Sequence, residues 1–229
     1  MYNGVWMGSN VQDTAKVLIV GESHYKGDKE VTSTEAVLKE HMNLSFFQKI
    51  AKSFGYDDCF EFFNKVHFGN YVDELCGIGE NNRAAESIRT NNEKYNNELC
   101  LYVNEHGIDV VVFFSKLSYM NAPDSTKQDK VVSYATTIGQ IGGRNNVMNH
   151  CFYKAGVKYK KCSVSLNKAL TVYALRHPSG AGGYDERQVY EGIKESGCKE
   201  LLKLLKQSSC DGRNEKDQVN IFFQLIQES

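Results

Sequence analysis

The stretch KVLIVGESHY, Lys16 to Tyr25, decides the fold. Its core, Val17, Leu18, Ile19 and Val20, does not alternate apolar with polar residues, which predicts a parallel strand covered on both faces. Gly21 then lets the chain turn sharply into a polar loop. Far downstream, LTVYALRHPSGAGG (Leu170 to Gly183) repeats the pattern, a buried strand emptying into a turn-rich loop. Ligand sites in open α/β sheets lie at such strand ends. The two loops are therefore expected to wall one pocket.

Between these strands, Leu44 to Phe54 and Asp57 to Val66 carry apolar residues at helical spacing, with Gly55 as the break. Arg83 to His106 reads as one longer polar helix stopped by Gly107, and Asp109 to Ser115 as a second interior strand containing VVVFF. The lysine-rich, β-branched and aromatic stretch Val131 to Val164, interrupted by Gly142, Gly143 and Gly156, fits strands or ordered excursions without fixing their order. Leu170 to Leu175 is a further strand. Asp185 to Leu205 is an amphipathic helix burying Val189, Ile193, Leu201, Leu202 and Leu205, its first-turn Asp185 and Glu186 matching the helix dipole. Strands alternating with helices predict a three-layer α/β/α arrangement, a mostly parallel sheet between helical layers in a single domain over residues 1–229.

The 229 residues are 41% hydrophobic and 24% charged with two prolines, a composition that supports one well-buried core. The longest apolar run, Val110 to Phe114, is far below the roughly 20 residues of a membrane span, and the start MYNGVWMGSN lacks a basic end followed by an apolar stretch. A cytoplasmic protein without a membrane partner is expected. The seven cysteines are scattered and never spaced CxxC, so neither a disulfide framework nor a metal or iron–sulfur site is indicated. From Lys130 to Tyr184 there is no acidic residue against eight basic ones, which leaves 19 basic and 28 acidic residues elsewhere, a balance of −9. A basic surface beside the pocket, suited to a polyanion such as nucleic acid, is the expectation.

The order strand-GESHY, FGNY (Phe68 to Tyr71), VVVFFSK and strand-HPS resembles that of the uracil-DNA glycosylase superfamily over most of the chain. The resemblance implies a DNA-repair glycosidase fold that flips a base out of the strand and needs no cofactor or metal. It makes His177 the catalytic donor to the pyrimidine oxygen where negative charge develops as the glycosidic bond breaks. Asn70 becomes the reader of the uracil edge, offering a donor and an acceptor together. Tyr25 stands where one branch excludes the thymine methyl, and Ser179 where a backbone phosphate is gripped. Phe47, or its neighbour Phe46, is the aromatic on which the base stacks. Gly21 and Glu22 complete the substrate-binding loop.

Two departures qualify the match. Ser23 occupies the place of a water-orienting aspartate; as a catalytic residue its uncharged hydroxyl needs help from Glu22 or His24. Ala181 replaces the leucine that wedges into a duplex, which favours single-stranded over double-stranded DNA as partner. The implied activity is hydrolysis of the N-glycosidic bond of uracil or a related base in DNA. The alternative is a non-catalytic member binding nucleic acid, a nucleotide or a protein partner. A serine hydrolase built on Ser23 and His177 is disfavoured, because Tyr25 stands where the nucleophile elbow GxSxG needs glycine.

Overall fold

A computed structural model describes residues 4–11, 16–25, 34–76, 85–124, 132–141, 143–178, 183–198 and 201–202. The predicted first strand is β2 (Val17–Tyr25), preceded by a two-residue strand β1 (Trp6–Met7). Three helices follow, α1 (Thr34–His41), α2 (Ser45–Ser53) and α3 (Cys59–Asn64), the last capped by the Asp58 carboxylate on the backbone N–H groups of Phe60 and Glu61. The FGNY segment lies inside β3 (His67–Cys76).

The long polar helix is in fact two, α4 (Ala85–Thr90) and α5 (Asn92–His106). They part at Asn91, whose φ of −113° and ψ of 22° leave the helical region although no proline or glycine marks the break. Gly107 ends α5 in the left-handed conformation, φ 62°, as expected of a helix-terminating glycine. β4 (Val110–Phe113) and the short α6 (Lys116–Asn121) come next. The unordered middle resolves into an antiparallel hairpin, β5 (Val132–Ile141) and β6 (Arg144–Tyr153). β7 (Leu170–Ala174) and α7 (Glu186–Glu195) close the chain order. α7 is shorter than the sequence suggests: it stops at Ser196, and Gly197 follows at φ 68°. Leu201 is buried beyond that break, and Leu205 lies outside the described residues.

The seven strands form one sheet in the order β1-β3-β2-β4-β7-β6-β5. The four central strands β3, β2, β4 and β7 are mutually parallel; β1 and the β5–β6 hairpin are antiparallel additions at the edges. The parallel strands thus run second, first, third, fourth in chain order, and β2 sits where the connections diverge to either side. Successive β2 residues enter different cores. Val17 and Ile19 join Phe47, Ile50, Phe54, Phe63 and Ile193. Leu18 and Val20 join Tyr95, Leu99, Val103 and Val172. This explains the unbroken apolar run: between Val17 and Val20 neither face of β2 meets water. None of the described helices is long and apolar enough to cross a membrane.

Candidate functional site

Parallel pairing brings the carboxyl ends of β3, β2, β4 and β7 to one end of the sheet. The first relationship there is between Gly21 and Asn70, which are paired in the β2–β3 register. The Asn70 carboxamide folds over Gly21 so closely that a β-carbon at Gly21 would stand 2.3 Å from Asn70 Oδ1 and 3.4 Å from Phe68 Cζ. Gly21 is needed for this approach of a side chain to the backbone rather than for a turn, because β2 continues through it to Tyr25, with a register shift only after Ser23.

From Phe68 the contacts lead to His177. Phe68 lies 6.4 Å from the Phe46 ring, and Phe46 lies 5.1 Å from the His177 imidazole at 31°. His177 is positioned by β7, whose run past Ala174 is held when the Leu175 N–H donates to the Phe113 carbonyl at 2.8 Å. Lys49 of α2 donates to the Pro178 carbonyl at 3.5 Å, tying the HPS turn to the helix that carries Phe46. Burial pushes the His177 imidazole below its ordinary pKa, and the Glu22 carboxylate partly opposes the shift. The ring is therefore neutral at pH 7, able to donate from one nitrogen and accept at the other.

Glu22 is itself anchored across the strand gap. The Ser115 hydroxyl, just past β4, donates to Glu22 Oε2 at 2.7 Å and accepts from the Ser118 N–H at 3.1 Å, capping α6. A single hydroxyl thus couples the helix start to the carboxylate whose charge acts on the imidazole. Ser23 is 8% exposed, and its hydroxyl makes no hydrogen bond. Asn146 Nδ2, 7% exposed, is likewise buried without a hydrogen-bond partner. Three residues on from Asn146, Asn149 pairs with Ala174, the last residue of β7.

Of the residues singled out from the sequence, Gly21, Glu22, Ser23, Asn70 and His177 come to this one end. Phe47 does not serve as a stacking platform: it is 4% exposed and packs edge-to-face on Phe63 and Phe68 at 5.6 and 5.4 Å. One residue earlier on α2, about 100° around the helix, Phe46 takes the place beside the imidazole. Ser179 and Ala181 lie outside the described residues, as does the side chain of Tyr25. The basic stretch is not gathered beside the site. Lys168 donates to the Asp109 carboxylate and the Gly107 carbonyl at the amino ends of the strands, and residues 154–161 follow β6 at that same far end. Arg176 alone of that stretch adjoins His177 in sequence.

Sequence reading missed Ser115 and Lys49 as neighbours of the motif residues, and offered Phe46 only as the alternative to Phe47. Ser115 had a signal, since it stands where a strand ends and a helix begins, the usual place of a capping hydroxyl. No group of three or more His, Cys, Asp or Glu side chains suited to a metal occurs among the described residues. No protein-family model matches the chain, and no curated protein is similar to it in sequence.

Proposed function

We propose that the protein is an N-glycosidic hydrolase with the three-layer fold of the uracil-DNA glycosylases, acting on uracil or a related base in single-stranded DNA. The observation that carries this reading is the neutral His177 imidazole in contact with Phe46, at the same sheet end as the Asn70 carboxamide. The fold part is supported by β2 feeding two separate cores, one containing α2, α3 and α7 residues and the other α5 residues.

In the proposed reaction Asn70 pairs with the base edge and the Phe46 ring supports its face. His177 donates to the pyrimidine oxygen as the C1′–N bond breaks and its electron pair leaves on the base. Water oxygen then bonds to C1′, Glu22 accepts the water proton, and an equivalent proton passes through solvent to the departing base at the nitrogen that left, which returns Glu22 to its carboxylate form. Glu22 supplies the negative charge that Ser23 lacks, facing the cationic sugar with Ser115 fixing its direction.

The test is release of free base from uracil-containing single-stranded and duplex oligonucleotides. Single-stranded release is expected, falling on the order of 10²–10³-fold in His177→Ala, the range for removal of one preorganised oxyanion donor. Absence of release from either substrate at high enzyme overturns the catalytic reading. The uncharged, unpartnered Ser23 hydroxyl favours a second reading, a binding protein on the same fold. Its signature is salt-dependent DNA binding with no base released.

A further inference from the structure

Away from the carboxyl-end site, three rings stack in a column across β5, β6 and β7. Tyr134 lies 5.2 Å from His150 at 27°, and His150 lies 5.6 Å from Tyr173 at 23°. Tyr173 is buried in the core, whereas Tyr134 is 52% exposed, so the column begins inside the protein and ends open at the sheet edge. Phe152, 40% exposed, stands edge-on to both Tyr134 and His150 at 6.1 and 5.8 Å. Val132, the cross-strand partner of Phe152, is also exposed. α7 covers the same hairpin farther along, at Ile138 and Gly139.

Exposed aromatic rings on a sheet face stabilise nothing by their exposure; they supply π-faces. The charge around them selects the occupant. None of β5, β6, β7 or the loop between β6 and β7 contains an acidic residue, and exposed Lys154 lies two residues past Phe152. A second copy meeting this patch about a two-fold axis would bring like charge against like charge. A few exposed side chains are also small beside the ~800 Å² per partner of a stable protein interface. A flexible polyanion bearing flat rings satisfies both features.

We infer that the open end of the Tyr134–His150–Tyr173 column, with Phe152 beside it, binds unpaired bases of a single-stranded nucleic acid, one base extending the column and the next meeting Phe152. Lys154 contacts the backbone. The inference deepens the reading of a single-stranded DNA substrate and rests on it for the identity of the strand, while the platform itself is independent of any chemistry at His177.

The experiment measures binding of a labelled 15-mer of thymidylate to the full chain by anisotropy, over a range of salt. Tyr134→Ala with Phe152→Ala should weaken binding at least tenfold, given base–aromatic stacking worth about 1–3 kcal/mol per base. Tyr134→Phe, which keeps the ring, should bind within twofold of wild type and controls for folding. The salt slope should be unchanged in the double alanine variant and fall by about 0.7 in Lys154→Ala. Wild-type affinity in the double variant overturns the platform. So does a concentration-dependent dimer that the double variant abolishes. If soaked uracil fails to appear beside His177 while the double variant still loses the 15-mer, the site reading falls and the platform stands. The reverse pair of results leaves the site and removes the platform.

Discussion

Asn70 Oδ1 rests over the α-carbon of Gly21, in the space where any other residue would carry its side chain. The side chain proposed to read a base is therefore set in place by the lack of a side chain one strand away. Gly21→Ala must push the carboxamide aside. A cost of about 1–3 kcal/mol in urea unfolding is expected from overpacking. Uracil affinity, followed by nuclear magnetic resonance titration, should fall at least tenfold. Unchanged affinity would show that the Asn70 position does not matter to the ligand.

The two neighbouring phenylalanines of α2 should separate stability from binding. Phe47→Ala empties a core site between Phe63 and Phe68 and is expected to cost about 3–5 kcal/mol. Phe46→Ala removes a half-buried ring that meets Phe47, Phe68 and His177, a smaller loss of about 2 kcal/mol, yet takes away the support of the His177 imidazole. Thermal unfolding paired with base-release assays checks the contrast: Phe47→Ala lowers Tm most, and Phe46→Ala lowers turnover in a protein that remains folded.

Ser23→Ala gives a sharper reading of a residue that the motif places at the centre of catalysis. Its hydroxyl is buried and makes no hydrogen bond, so deleting it should leave stability unchanged or raise it by about 1 kcal/mol. Glu22→Gln should lower base release far more than Ser23→Ala does. Equal losses in the two variants would return the catalytic role to Ser23.

A pH dependence follows from His67 at the opposite end of the sheet. Its Nδ1 shares a hydrogen bond of 2.7 Å with the Tyr102 hydroxyl, and burial, helped by the charges of His106 and Lys16, lowers its pKa from 6.5 to about 4. The folded state thus binds this proton less readily than the unfolded chain. Its contribution to stability is complete above pH 6.5 and is lost as the pH falls from 6.5 towards 4, by a total on the order of 3 kcal/mol. Burial of His177 adds a loss of the same sign below pH 6.5. Urea midpoints between pH 7 and pH 4 should fall less steeply in His67→Gln than in wild type.

Much of the fold was legible because three of the central strands announce themselves locally. VLIV, VVVFF and LTVYAL are continuous apolar runs, which a strand buried on both faces requires and an exposed strand does not tolerate. The hairpin β5–β6 gave no such signal. It has one exposed face, a register shift after Thr137 and glycine at its tip, so its period is broken where it would have been counted. The break at Asn91 is equally silent, since no proline or glycine separates α4 from α5. At the site, His177 and Asn70 could be found from short motifs. The choice between Phe46 and Phe47 could not, because it depends on how α2 is rotated against the sheet. The Ser115 link to Glu22 spans 93 residues and exists only through the β2–β4 pairing.

The strand that delivers Gly21, Glu22 and Ser23 is, like its parallel neighbours β3, β4 and β7, anchored in both cores. Freeing it would mean dismantling the molecule, so amides of Val17 to Val20 should exchange with solvent only on global unfolding. Whatever meets Gly21, Glu22 and Ser23 meets a strand that cannot mould itself, so on this side the guest must match the protein rather than the reverse.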